Sequence, residues 1–150
     1  MVCAFEYAPD LLDHVMDENE LLARYDLVPV AADLPEIRRL IQSFTADDKR
    51  DSNEPLKTLC VQLFSAGIAS DALLIYKAKM SSFDAGCYID IQLVCGAGLE
   101  STKTFLRESS EPEAKQLLDV LQAPRSVGDF NGFTPEKHLD FYRRYYGLSA

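Results

Sequence analysis

Apolar residues recur along this chain at spacings of three and four, the signature of helices that bury one face. Leu11, Leu12, Val15, Met16 and Leu22 fall on one side of a helix expected over residues 10–25, with Asp10, Asp13, Asp17 and Glu20 in one stripe opposite. Leu34, Ile37, Leu40, Ile41 and Phe44 repeat the pattern. Before them Asp33 and Glu36 spell an Asp-x-x-Glu capping box, with Pro35 in the first turn. Leu56, Leu59, Cys60, Leu63 and Phe64 make a third stripe, closed by Gly67 as a C-terminal cap. Ser70 is placed to cap a helix through DALLIYKAKM to about residue 81. LESTKTFLRES predicts a short helix, and Ser110-x-x-Glu113 with Pro112 opens another, backed by Leu117, Leu118 and Leu121. After a turn at GDFNGF, Thr134-Pro135 starts a last helix through Leu139, Tyr142 and Tyr145, ending near Gly147.

One stretch resists this pattern. CYIDIQLVCGAG, residues 87–98, alternates as a strand would, with Cys87, Ile89, Ile91, Leu93 and Cys95 on one face and Tyr88, Asp90, Gln92 and Val94 on the other. Wound as a helix it is apolar almost all round, interrupted by Asp90 and Gln92. The flanks decide between the two. Asp84 stands where an N-cap belongs, Gly98 stands where a C′ glycine belongs, and a strand would have no partner among helical neighbours. A buried helix over 84–97 is therefore expected.

About eight helices and no strand pair give an all-α chain of antiparallel hairpins. Hairpins starting near residues 53, 84 and 110 have the spacing of helical-repeat units without visible self-similarity, so a short irregular α-solenoid and an α-bundle both fit. The length of 150 residues suits one domain. The polar run TADDKRDSNEP, residues 45–55, divides a possible N-terminal helical pair (9–44) from a hairpin region (53–147).

Charge adds direction. The net charge is −9, and residues 1–36 hold nine acidic side chains against one basic one, Arg24. Such a chain repels nucleic-acid phosphates and attracts a basic protein surface. No apolar run approaches a membrane span, and MVCAFEYAPD has neither the basic start nor the apolar middle of a signal peptide. Cys3, Cys60, Cys87 and Cys95 lack Cys-x-x-Cys spacing, so free thiols in a reducing cytoplasm are expected.

Little in the sequence spells chemistry. Gly96-Ala97-Gly98 lacks the third glycine of a dinucleotide fingerprint and any P-loop lysine, so close helix approach and a cap explain it better. Four carboxylates on a straight helix face wrap a cation poorly. His14 and His138 have no zinc-ligand spacing, and His138 with Asp140 is no recognisable dyad. No catalytic residue, cofactor site or metal site emerges. The candidates that remain are for protein binding: the stripe Asp10, Asp13, Asp17 and Glu20; the polar pair Asp90 and Gln92; and, within FYRRYYGL, Tyr142, Arg143 and Tyr146, of residue types enriched at binding hot spots.

The block ALLIYKAKMSSFDAGCYIDIQLVCGAGLESTKTFL, residues 72–106, adds a resemblance. Its Ala78-Lys79 before Phe83-Asp84, its Asp90-x-Gln92 pair and its Gly96-Ala97-Gly98 ahead of a short helix resemble small bacterial helical proteins built of HEAT-like hairpins. The resemblance covers about a quarter of the chain and implies an immunity or adaptor protein that acts by binding another protein. Combined with the acidic first quarter, it points to a cytoplasmic immunity protein that covers a basic toxin domain. A regulatory adaptor, and an enzyme with a site hidden in the helical core, are the alternatives.

Overall fold

The computed structural model describes residues 15–148, and within them the fold is all-α: nine α-helices, three short 3₁₀ turns and no strand. The helices are α1 (Glu18–Tyr25), α2 (Leu34–Ala46), α3 (Glu54–Ser65), α4 (Ala72–Lys79), α5 (Phe83–Tyr88), α6 (Leu99–Glu108), α7 (Pro112–Gln122), α8 (Pro124–Asp129) and α9 (Pro135–Tyr145). The 3₁₀ turns are Ala31–Asp33, Ala69–Asp71 and Ile91–Cys95.

Helix α3 is the centre. Of the ten positions from Pro55 to Phe64 all but Lys57 are buried, so its burial extends beyond any single stripe. Helices α1, α2 and α9 and the 3₁₀ turn Ile91–Cys95 all pack on it, while α4 lies against α2, α5 and α7. The apolar stripe of α2 turns inward as its spacing demands, with Leu34, Ile37 and Ile41 buried and Leu40 and Phe44 at the margin. Two polar side chains fasten these layers. Gln62, wholly buried on α3, donates both amide hydrogens to α1's end, to Leu21 O (3.0 Å) and Asp26 O (2.9 Å). Arg38 of α2 pairs with Asp71 through two parallel bonds of 2.8 and 3.1 Å.

Several expectations need correction. The first helix among the described residues begins at Glu18, so Val15 and Met16 precede it and Val15 is exposed. Leu21 and Tyr25 supply its buried contacts. Asp17 and Glu20 do not form part of a stripe. Asp17 Oδ1 accepts from Glu20 N (2.9 Å) and Glu20 Oε1 accepts from Asp17 N (3.1 Å), a complete capping box that starts the helix. Asp10 and Asp13 lie outside the described residues. The boxes read at Asp33–Glu36 and Ser110–Glu113 do not form. A 3₁₀ turn runs straight into α2, which leaves Asp33 helical, and Glu36 bonds Arg39 instead. Ser70 lies inside a 3₁₀ turn and caps nothing. The segment read as the GDFNGF turn begins with the last residues of α8.

The largest correction concerns residues 84–97. They are not one helix. Ser82, not Asp84, caps α5, accepting from Ala85 N, and α5 stops at Tyr88. Ile89 and Asp90 are extended, and a 3₁₀ turn follows. Gly98 ends no helix; it is the N-cap of α6, at φ +95° and ψ 155°, a backbone region open essentially to glycine alone. The break has a physical cause. The Lys79 ammonium donates to Gly86 O (2.6 Å) and Ile89 O (2.5 Å), satisfying carbonyls that a continuing helix would need, and Asp90 is drawn to α9. Gly96 does carry the close approach read from its small size: a Cβ there would stand 2.4 Å from Phe64 O of α3.

Candidate functional site

Thr134 sets the last helix in place, its hydroxyl accepting from Lys137 N at 3.1 Å as an N-cap. From there the sequence lays down two ladders of rings four residues apart. His138, Tyr142 and Tyr146 form the inner one, and Phe141 and Tyr145 the outer. Few apolar side chains hold this helix: Tyr142 alone is buried in it, with Leu139 packed at the core's margin. What fixes the helix is a set of polar bonds to distant parts of the chain.

Asp90 is the hub. Its Oδ2 lies 2.5 Å from His138 Nε2, and its Oδ1 accepts from the Tyr142 hydroxyl. Burial pushes the Asp90 carboxyl up, but the bonds from His138 and Tyr142 outweigh it, and the group lies below its ordinary range. The carboxylate in turn, after burial, pushes the Tyr142 hydroxyl up, so Tyr142 stays a donor. An ionised carboxylate only accepts, so His138 Nε2 carries the hydrogen and Nδ1, which has no protein partner, is left as the other face of the ring. At the far end Thr58 spends its hydroxyl hydrogen on Glu54 O, so the Tyr146 hydroxyl donates to Thr58 Oγ1 at 2.9 Å. Burial raises Tyr146, and the Glu18 and Glu54 charges add to that, which places the acidic start of α1 beside this end of the ladder.

The outer ladder faces water. Phe141 and Tyr145 are 48% and 47% exposed and lie nearly parallel, 6.4 Å apart at 26°. The Lys57 ammonium stands 4.3 Å over the Tyr145 ring. Beside Phe141 opens a cleft of about 230 Å³ between the Asp129–Thr134 turn and the first turns of α9. Gln92, Phe133, Lys137 and His138 line it with Phe141, and Gln92 Nε2 donates to Asp129 O (2.8 Å).

Of the residues singled out in the sequence, the structure brings Asp90, Gln92 and Tyr142 together here. Tyr142 cannot touch a partner, being buried, and acts as an anchor. Tyr146 is likewise spent on Thr58, and Arg143 bonds Asp140 at 2.9 Å. Asp17 and Glu20 build the cap of α1. Sequence reasoning missed His138, whose partner is Asp90 and not Asp140, and it missed Phe133 and the cleft. The four-residue spacing of His138, Tyr142 and Tyr146 was the signal that could have found the ladder.

As chemistry the arrangement is one-sided. A carboxylate orients an imidazole at a cleft, half of a general acid–base device. The hydroxyl that lines the cleft, Thr134, is occupied as a helix cap. The described cysteines are free; Cys60 and Cys95 are buried, with burial pushing Cys95 to about 12, far from a reactive thiolate. Among the described residues no three His, Cys, Asp or Glu side chains converge as a metal site, and no helix is long and apolar enough to cross a membrane. No family model matches the chain, and no curated protein or solved structure matches it significantly.

Proposed function

We propose that this protein is a cytoplasmic, non-enzymatic binding module, of the immunity type that neutralises a basic toxin domain by covering it, and that the outer face of α9 is its docking surface. The observation that carries this is the exposed pair Phe141 and Tyr145 on a helix locked from behind by Asp90 and Thr58. Rigid aromatic side chains with an organised backing lose little freedom on binding, and hot spots are built this way. The acidic first quarter supplies the attraction to a basic partner, and the adaptor alternative shares the docking face without requiring that charge.

The test is affinity capture from the source cell with the wild type beside a Phe141→Ala/Tyr145→Ala variant. A specific basic partner bound by the wild type and lost by at least about tenfold in the variant is expected. Equal capture by both would remove α9 from the interface. Association rate against salt then tests the charge. Asp10→Asn/Asp13→Asn is the cleaner variant for that purpose, because changing Asp17 or Glu20 undoes the cap of α1. The Asp90–His138 pair favours one second reading, an enzyme using His138 Nδ1 as a proton acceptor. His138→Gln separates the two: partner capture is at most weakened by it under our proposal, whereas turnover would not survive it in an enzyme.

A further inference from the structure

The polar groups around the cleft are not neutral about what can enter. Gln92 spends its NH₂ on Asp129 O, which leaves Oε1, an acceptor, without a protein partner. His138 spends Nε2–H on Asp90, which leaves Nδ1. Asp129 is a lining residue, exposed, and its carboxylate makes no hydrogen bond, though its charge also acts on Lys79. The walls are the rings of Phe133 and Phe141, whose faces carry negative quadrupole potential. Two cations stand nearby. Lys79 is turned away, held by Gly86 O and Ile89 O, and Lys137 is exposed at the rim. Asn131, Lys137 and the Thr134 hydroxyl line the cleft too and can donate, so what sets the cleft apart is an unspent acceptor, Gln92 Oε1, between two aromatic rings. Its volume of about 230 Å³ is below the usual range for a drug-sized ligand and suits a single side chain.

We infer that the cleft receives an arginine side chain of the protein partner, the guanidinium lying against Phe141 or Phe133 and donating to Asp129, Gln92 Oε1 and His138 Nδ1. The inference rests on the docking face proposed above and names the chemistry at its centre. Arginine fits better than lysine because a planar cation stacks on a ring while its edge hydrogens reach several acceptors at once.

The test uses N-acetylarginine methylamide as probe, titrated into the ¹⁵N-labelled protein, with N-acetylglutamate methylamide as the opposite-charge control. Shifts confined to Gln92, Phe133, His138 and Phe141 with millimolar affinity for the arginine probe are expected, and none for the glutamate probe. Two exposed positions then give opposite signs. Asp129→Asn should weaken arginine binding by about threefold or more, and Lys137→Gln should tighten it by about twofold. Stronger binding of the glutamate probe, weakening by Lys137→Gln, or no shift with arginine overturns the inference. Failure here is distinguishable from failure of the docking face. Partner capture that is lost with Phe141→Ala/Tyr145→Ala but unchanged in Asp129→Asn keeps α9 as the interface and removes arginine from the cleft.

Discussion

Helices α3 and α9 are nearly the same length and lie against each other, yet they are held by opposite means. Helix α3 is surrounded: Leu56, Leu59, Cys60, Val61 and Leu63 have almost no exposed surface. Its hold is the summed burial of apolar area, spread over many contacts, none of which is indispensable in kind. Helix α9 buries Tyr142 and otherwise relies on three hydroxyl or imidazole hydrogens donated to Asp90 and Thr58. Burial is tolerant of identity and costly to thin out. Polar anchoring is sparse, geometrically exact in what it demands, and leaves the opposite face of the helix free for other use. A surface meant for a partner is better mounted in the second way.

Substitutions can break that contrast or sharpen it. The largest effect belongs to the buried helix: Leu59→Ala should cost about 2–5 kcal/mol in a denaturant melt, because neighbours on every side prevent the cavity from collapsing. Asp90→Asn comes next, at about 1.5–3 kcal/mol at neutral pH, since the amide brings a donor against His138 Nε2–H or the Tyr142 hydroxyl. That difference should also depend on pH. Asp90 titrates lower in the folded protein than in the unfolded chain, because the bonds from His138 and Tyr142 outweigh burial. Its contribution is therefore complete above about pH 4 and is lost as pH falls through the folded value, so melts of wild type and variant should converge in acid. A constant gap down to acid pH would mean that Asp90 does not anchor α9 as a carboxylate.

Tyr146→Phe should cost about 1 kcal/mol, one hydrogen bond to Thr58, with the ring packing kept. The smallest effect should have the opposite sign. Asp26, at φ +63° and ψ 169°, sits in backbone space nearly reserved for glycine, held there by Gln62 on its carbonyl. Asp26→Gly should raise stability by somewhat under about 1 kcal/mol, visible as a higher midpoint with unchanged slope.

These two kinds of hold also explain what could be read in the sequence. The helices came through, because burial writes itself into spacing: the stripes of α2 and α3, the proline and threonine opening α9, and Gly67 and Gly147 at positive φ are local signals. The candidate site did not come through as a unit, because Asp90 meets His138 and Tyr142 across 48 and 52 residues, and no local pattern announces that. The same bonds explain the missed break at Ile89–Asp90. Asp84 and Gly98 gave consistent local signals for one helix, and tertiary bonds from Lys79 and α9 overrode them. The capping boxes teach the converse. Asp33–Glu36 and Ser110–Glu113 have the spacing without the bonds, whereas Asp17–Glu20 has both and was hidden inside a run of carboxylates.

The crossing at Gly96 sets a limit on how this chain can vary. Gly96 and Gly98 are two residues apart and both resist a side chain, for unrelated reasons. At Gly98 there is open space around a Cβ and the difficulty is the dihedral angle alone, so a library at that codon should return a graded series of weakened but folded variants. At Gly96 the angles suit any residue, and the obstacle is the Phe64 carbonyl of the central helix. No choice of side chain relieves that collision, so selection there should be nearly all-or-none. A chain diverging under selection would be free to drift at its surface while this one crossing point stayed fixed.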